Sequence, residues 1–243
     1  MSYVLIIGSE SEVSMAVAEK YARYGYNIYF TCKKPEQFQA EIKKIEFMYG
    51  VKSKAVRFDP LEFYSHKLFY ENLNPKPVGV ICLIDYHGDQ YEAENDFLEA
   101  KKIIDINLIG SMSILNIVAN DFEQKREGFI VGVSSVMGER GRRSNYLYGS
   151  AKAGFIAYLS GLRSRLIESD VQVTTIKSGI TINRTIKNIE YPLFLSAKPE
   201  EVAYDIFKAQ QKNRDIAYSK WQWKFASMLI KHMPETIFKR IHT

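Results

Sequence analysis

Short apolar runs alternate with longer segments of helical periodicity from residue 3 to residue 177, and this alternation is what most constrains the fold. Residues 3–7 read as a strand, 15–24 as a helix with Val13, Val17, Tyr21 and Tyr24 near one face, 27–31 as a strand and 35–49 as a helix. The pattern continues with strands at 54–58, 78–84, 129–134 and 171–177, and helices at 63–73, within 94–124 and at 148–169. Strand–helix repetition at this spacing predicts right-handed βαβ units and a parallel sheet with helices on both faces. Ligands of such sheets bind beyond the carboxyl ends of the strands.

A length of 243 residues with 46% hydrophobic content suits one sizeable core. No run of 18 apolar residues is present, so no spanning helix is expected. The start, Met1-Ser2-Tyr3-Val4, has neither a basic segment nor a cleavage site and reads as a first strand. Cys32 and Cys82 sit in strand-like runs and are expected as reduced core thiols of a cytoplasmic protein. His66, His87, His232 and His242 show no ligand spacing, so no metal is expected. A net charge of +5 suits an anionic ligand and does not call for nucleic acid. The polar stretch 138–145 reads as a loop; 183–197 reads as another, long enough to be functional.

The first strand runs into Gly8-Ser9-Glu10-Ser11-Glu12-Val13-Ser14, a strand–turn–helix whose helix N-terminus suits a pyrophosphate. Gly8 supplies the tight turn, and Ser14 is small enough for close helix–strand packing. A Glu12 carboxylate must point away from a pyrophosphate. The same segment also reads as a plain βα turn with acids favouring the helix dipole. A dinucleotide site distinguishes its cofactors at the end of the second strand, where an acid bonds the ribose 2′-hydroxyl and a basic residue takes a 2′-phosphate. Here Thr31-Cys32-Lys33-Lys34 holds no acid, so Lys33, then Lys34, is the candidate phosphate ligand. Asp59 follows the third strand and suits either an adenine amino group or a turn cap before Pro60.

Ser135 closes the strand ending near residue 134; thirteen positions on stands Tyr148, and four further Lys152. Tyr148 and Lys152 fall on one helix face. The set supplies an acid, a cation and a hydroxyl to hold a carbonyl, and points to proton transfer coupled to hydride transfer. Ser134 is the competing hydroxyl, and spacing favours Ser135.

Over roughly residues 3 to 218 these features resemble the short-chain dehydrogenase/reductase family. The family's Tyr-x-x-x-Lys matches Tyr148 and Lys152, its serine Ser135, its helix asparagine Asn107 and its adenine-site aspartate Asp59. Three motifs depart from it. Thr-Gly-x-x-x-Gly-x-Gly stands here as Ile7-Gly8-Ser9-Glu10-Ser11-Glu12-Val13-Ser14, and Asn-Asn-Ala-Gly as Asp85-Tyr86-His87-Gly88. Pro-Gly stands as Ser178-Gly179, and the threonine that follows as Asn183. The acid–small pair and the basic aromatic tail are also similar to a bacterial branch of cell-surface polysaccharide enzymes.

The resemblance implies a three-layer, Rossmann-type, doubly wound α/β domain over 1–218, followed by a helical extension over 219–243. It implies an oxidoreductase interconverting a carbonyl and a secondary alcohol, with NADP(H) preferred and NAD(H) possible, on a small molecule such as a sugar or lipid-linked sugar. Gly8, Ser9, Glu10, Ser11, Glu12, Val13, Lys33, Lys34, Asp59, Gly88, Ser178 and Gly179 would hold the cofactor with Tyr148 and Lys152. Tyr148 would be the acid/base, with its pKa lowered by Lys152, which would also bond the nicotinamide ribose. Ser135 would hold the carbonyl, and Asn107 would hold a water linking Lys152 to solvent. A homodimer or homotetramer through the helices before Gln124 and after Tyr148 fits the family. A regulatory nucleotide-binding protein and a membrane-docked scaffold are the alternatives.

The tail carries Lys220, Lys224, Lys231, Lys239 and Arg240 against Glu235 alone. Trp221, Phe225, Met228, Leu229 and His232 fall near one helix face, with Lys224 and Lys231 on its flanks and a second apolar set, Ile237, Phe238 and Ile241, after Pro234. Two readings are open: a helix packed on its own domain or a symmetry mate, or an interfacial helix on anionic lipid. Tyr191, Pro192, Leu193, Phe194 and Leu195 make the 183–197 loop apolar enough for a lid.

Overall fold

A computed structural model of the chain describes residues 1–8, 10–182 and 195–240. Ser9, most of the candidate lid (183–194, with Asn183) and Ile241 lie outside the described residues. Seven parallel strands form one sheet: β1 (Tyr3–Gly8), β2 (Asn27–Cys32), β3 (Ser53–Arg57), β4 (Pro77–Leu83), β5 (Phe129–Ser135), β6 (Gln172–Ser178) and β7 (Ile216–Tyr218), in the order β3-β2-β1-β4-β5-β6-β7. The order reverses direction between β1 and β4, which opens a crevice at their carboxyl ends. Every residue of β2 and β5 is buried, as parallel strands covered on both faces require.

Helices α1 (Glu12–Arg23) and α2 (Gln39–Tyr49) cover one face together with α8 (Pro199–Gln211). The other face carries α3 (His66–Glu71), α6 (Ser111–Lys125) and α7 (Tyr146–Leu166). Short helices α4 (Gln90–Asn95) and α5 (Phe97–Ile104) lead into a π-helical turn, Asp105–Gly110, that joins α6. Ser11 caps α1 by accepting the Ser14 N–H at 3.2 Å. On α1 the buried line is Ser14, Val17, Ala18, Tyr21 and Ala22; Tyr24, expected on that face, is largely exposed. The strand β7 and the helix α8 were not anticipated from the sequence pattern.

The run Phe97–Lys125 is long and apolar enough to cross a bilayer by length and composition alone, contrary to the absence expected of any such helix. Half of its most apolar window is buried, and Ile103, Ile114, Leu115, Val118 and Phe122 pack inward, the behaviour of a core helix.

The tail forms α9 (Gln222–His232) and α10 (Glu235–Phe238), and of the two readings of its apolar face the outward one matches the packing within the chain. Trp223 and Ser227 are buried, whereas Trp221, Phe225, Met228 and Leu229 are exposed. The Trp223 indole lies where a Cβ on Gly179 would stand, 1.9 Å from its Nε1, and that N–H donates to the Leu195 carbonyl at 2.7 Å. Arg140, in the loop after β5, clasps the same tail by donating to the Ile230 carbonyl at 2.9 Å and pairing with Glu235. The extension is therefore fastened to the domain at the rim of the crevice.

His66 is fully buried and holds the loop after β3 against α6. Its Nε2 lies 2.9 Å from the Asp59 carbonyl, which only accepts, so Nε2 carries the proton and Nδ1 accepts from the Ser113 hydroxyl at 2.9 Å. Burial lowers its pKa, ahead of the raising influence of Asp59. A group neutral when folded and protonatable when unfolded contributes stability above about pH 6.5 that is lost as pH falls. The free energy of unfolding should drop between pH 7 and pH 5 more steeply in the wild type than in His66→Gln. Equal slopes in denaturant titrations would contradict this reading of the buried imidazole.

Candidate active site

The carboxyl ends of β1, β4, β5 and β6 and the N-terminus of α1 surround a cleft of about 480 Å³, within the size range of ligand sites. Its walls include Ser11, Val13, Ser135, Tyr148, Lys152 and Gly179. Gly8 is required where β1 enters this wall, since a Cβ there would stand 2.8 Å from both Leu83 Cβ and Ser14 Oγ. That close approach sets the α1 N-terminus, with its positive dipole end, against the cleft.

At the centre lies a carboxylate, Asp85, two residues beyond β4. Its Oδ1 accepts the Tyr148 hydroxyl at 2.8 Å and lies 2.8 Å from Lys152 Nζ. Lys152 is 2% exposed and also donates to the Ile84 carbonyl at 2.9 Å. Both serines border the cleft, but the Ser134 hydroxyl is committed to the Lys152 carbonyl, to which it donates at 2.9 Å, while Ser135 Oγ accepts the Met137 N–H at 3.1 Å. The His87 ring stacks on Tyr148 with centroids 4.3 Å apart, and its Nε2 stands 3.3 Å from Asp85 Oδ2.

This network reverses one expectation. Tyr148 is held well above its ordinary pKa, first by burial, then by the charge and hydrogen bond of Asp85, against a lowering contribution from Ser135. Burial pushes the Asp85 carboxyl up, but Lys152 and His87 outweigh it and leave it well below the usual carboxylate range. The Lys152 charge is thus answered by Asp85, and burial together with the Asp85 charge keeps the proton on Tyr148.

Asn107 is fully buried in the π-helical turn. Its Nδ2 donates to the carbonyls of Tyr86 and Ile103 at 2.6 and 2.9 Å, and its Oδ1 accepts the Tyr86 N–H at 3.0 Å. The side chain clamps the segment after β4, with both amide protons committed to backbone carbonyls. Gly88 has φ of +62° and packs against Ile103 and Glu99, away from the cleft lining. Ser178 and Gly179 line the cleft, as do Glu10 and Glu12.

At the end of β2 the two lysines do not stand as an open basic pair. Lys33 Nζ bonds Asp59 Oδ2 at 2.9 Å, and the Lys33 N–H is accepted by Glu10 Oε1 at 2.8 Å. Asp59 also accepts the Leu61 N–H at 3.0 Å, in keeping with its turn-capping alternative. Lys34 is exposed at the start of a short 3₁₀ turn, Pro35–Phe38. Sequence reasoning noted Asp85 and His87 only as departures from a motif. Their position directly after an apolar strand was the available signal, and their contact with residues more than 60 positions away was not readable.

Residues 2–190 match the model of the short chain dehydrogenase family. An uncharacterized oxidoreductase of Mycobacterium tuberculosis is 26% identical over 98% of this chain and 96% of its own length. The 3-oxoacyl-[acyl-carrier-protein] reductase FabG of Aquifex aeolicus is 27% identical over 82% of this chain and 86% of its own. Among solved structures, a 7beta-hydroxysteroid dehydrogenase superposes with a TM-score of 0.83 at 19% identity, covering 96% of this chain and 92% of that one. A short-chain dehydrogenase from Sphingobium yanoikuyae in complex with NADPH gives 0.76 at 16% identity, covering 96% and 97%. With a matching family model over most of its length and a parallel sheet reversing at β1/β4, the chain belongs to the short chain dehydrogenase family of oxidoreductases.

Proposed function

We propose that this protein interconverts a carbonyl compound and a secondary alcohol with a nicotinamide dinucleotide, NADP(H) in preference to NAD(H). The observation that carries the reading is the convergence of Ser135, Tyr148 and Lys152 in one cleft beside the N-terminus of α1. The cleft suits a dinucleotide: Gly8 gives close backbone approach, the α1 dipole favours a pyrophosphate, and Lys33 and Lys34 follow β2, the strand end at which sheets of this topology meet the adenosine. When bound, the nicotinamide supplies or takes the hydride.

The chain supplies the rest. In the reducing direction Tyr148 donates its proton to the carbonyl oxygen as that oxygen gains charge, and Ser135 holds the oxygen within reach. The raised pKa of Tyr148 keeps that proton available at neutral pH. Lys152, on α7 one turn from Tyr148, offers its ammonium to ribose hydroxyls once Asp85 yields it. Tyr148→Phe should retain the wild-type circular dichroism and melting temperature and lose at least ~10²-fold in turnover, followed as nicotinamide absorbance against a panel of ketones and sugars. Undiminished turnover would overturn the mechanism.

The substrate reading is a molecule carried at a membrane surface, such as a lipid-linked sugar. Its support is α9, which exposes Trp221, Phe225, Met228 and Leu229 on one side. Lys224 and Lys231 are exposed beside them. The helix is also fastened through Trp223 to Gly179 in the cleft wall. Aromatic and cationic residues on an outward helix match an anionic lipid interface. Vesicles containing phosphatidylglycerol should float the wild type and lose most of the bound fraction for Trp221→Ala/Phe225→Ala. Absence of flotation, or equal flotation of both, would contradict the reading.

A further inference from the structure

The β1–α1 segment and the end of β2 are joined at two points. Thr31 Oγ1 accepts the Gly8 N–H at 3.3 Å, and Glu10 Oε1 accepts the Lys33 N–H at 2.8 Å. Glu10 therefore reaches from the phosphate-facing turn to the strand end at which sheets of this topology meet the adenosine ribose. Two of the surrounding cations are already engaged, and Lys34 is exposed. Lys33 Nζ is paired with Asp59 at 2.9 Å, and the Arg57 guanidinium makes a two-pronged contact with Glu62 at 2.8 and 2.5 Å. The Cys32 thiol, beside the same surface, is pushed up to about 11, first by burial and then by the negative charges of Glu10 and Glu36. Glu10 and Glu36 thus bring negative charge to the end of β2, beside the lysines Lys33 and Lys34.

We infer that Glu10 is a specificity-determining residue: its carboxylate accepts the adenosine-ribose 2′-hydroxyl of NAD(H) and opposes the 2′-phosphate of NADP(H). The preference conferred by Lys33 and Lys34 is thereby held to a narrow margin, and both nucleotides are used. The inference rests on the nucleotide reading of the cleft proposed above. What is particular to this chain is the origin of the acid. Discrimination by a carboxylate normally draws on a residue at the end of β2 itself; here that position is Lys33, and the carboxylate comes from the turn after β1, anchored on the Lys33 amide. At a separation of roughly 5 Å in a water-like dielectric, one carboxylate facing a doubly charged phosphate changes affinity by about tenfold.

Glu10→Gln tests this cleanly, because the glutamine carbonyl accepts the same Lys33 N–H and preserves the turn while removing the charge. NADH and NADPH are titrated separately into the full-length wild type, Glu10→Gln and Lys33→Met, with nicotinamide fluorescence as the readout and thermal melts as the control for folding. In Glu10→Gln the ratio of Kd for NADH to Kd for NADPH should rise about tenfold, chiefly through tighter NADPH binding, with an unchanged melting temperature. In Lys33→Met the ratio should fall. A ratio within twofold of wild type in Glu10→Gln, or equal weakening of both nucleotides, overturns the role of Glu10 while leaving the cofactor reading intact. A wild type that binds neither nucleotide below millimolar concentration overturns the cofactor reading itself, and this inference with it.

Discussion

The buried ammonium of Lys152 is the constraint around which the carboxyl end of the sheet is arranged. A cation this deep requires partners, because an unpaired buried charge costs several kcal/mol. It finds the Ile84 carbonyl and the Asp85 carboxylate, both just past β4, and so ties α7 to the sheet where the strand order reverses. The same carboxylate takes the Tyr148 hydroxyl and stands beside His87, whose ring covers one face of the tyrosine. Asn107 fixes the backbone that carries these groups by holding both the N–H and the carbonyl of Tyr86. Removing the anion would leave Lys152 to act on Tyr148 directly; keeping it makes Tyr148 a reluctant base and a well-stocked acid.

The two ends of the cleft show the same motif in different residues. Past β4 Asp85 answers Lys152, and at the end of β2 Asp59 answers the Lys33 ammonium while Glu10 accepts the Lys33 backbone N–H. In both places a lysine ammonium is already held by a carboxylate of the protein. Ligand hydroxyls or phosphates must therefore compete with an existing ion pair, which lowers affinity and makes binding responsive to small changes in the acids. The tail adds a mechanical link, since Trp223 against Gly179 and Arg140 on the Ile230 carbonyl join the outward helix α9 to loops that border the cleft.

Much of this architecture was legible in the residues. Strands β1, β2, β4 and β5 are apolar runs because parallel strands are covered on both faces, and their spacing implied a parallel sheet with helices on both faces. Ser135, Tyr148 and Lys152 were recoverable from spacing, since a strand end and one helical turn fix their relative placement. Strand β7 was not, because three residues beside a turn carry too little pattern. The outward apolar face of α9 was legible from its spacing, whereas its buried side, Trp223 and Ser227, was not. The slot that buries the indole exists only because Gly179, far away in sequence, has no side chain. The state of Tyr148 was also misjudged, since the i,i+4 lysine is local and visible whereas the opposing carboxylate comes from another strand end.

The central claim is that burial and the Asp85 charge hold the proton on Tyr148 against the neighbouring Lys152. The direct measurement is the ultraviolet difference titration of tyrosinate, taking each protein minus its Tyr148→Phe counterpart. The account predicts no phenolate attributable to Tyr148 up to about pH 10 in the wild type, because burial and the Asp85 charge both disfavour ionisation. It predicts a transition at lower pH in Asp85→Asn, where the charge is gone and Lys152 acts unopposed. A Tyr148 ionisation near neutral pH in the wild type, or one that Asp85→Asn leaves unmoved, would contradict it.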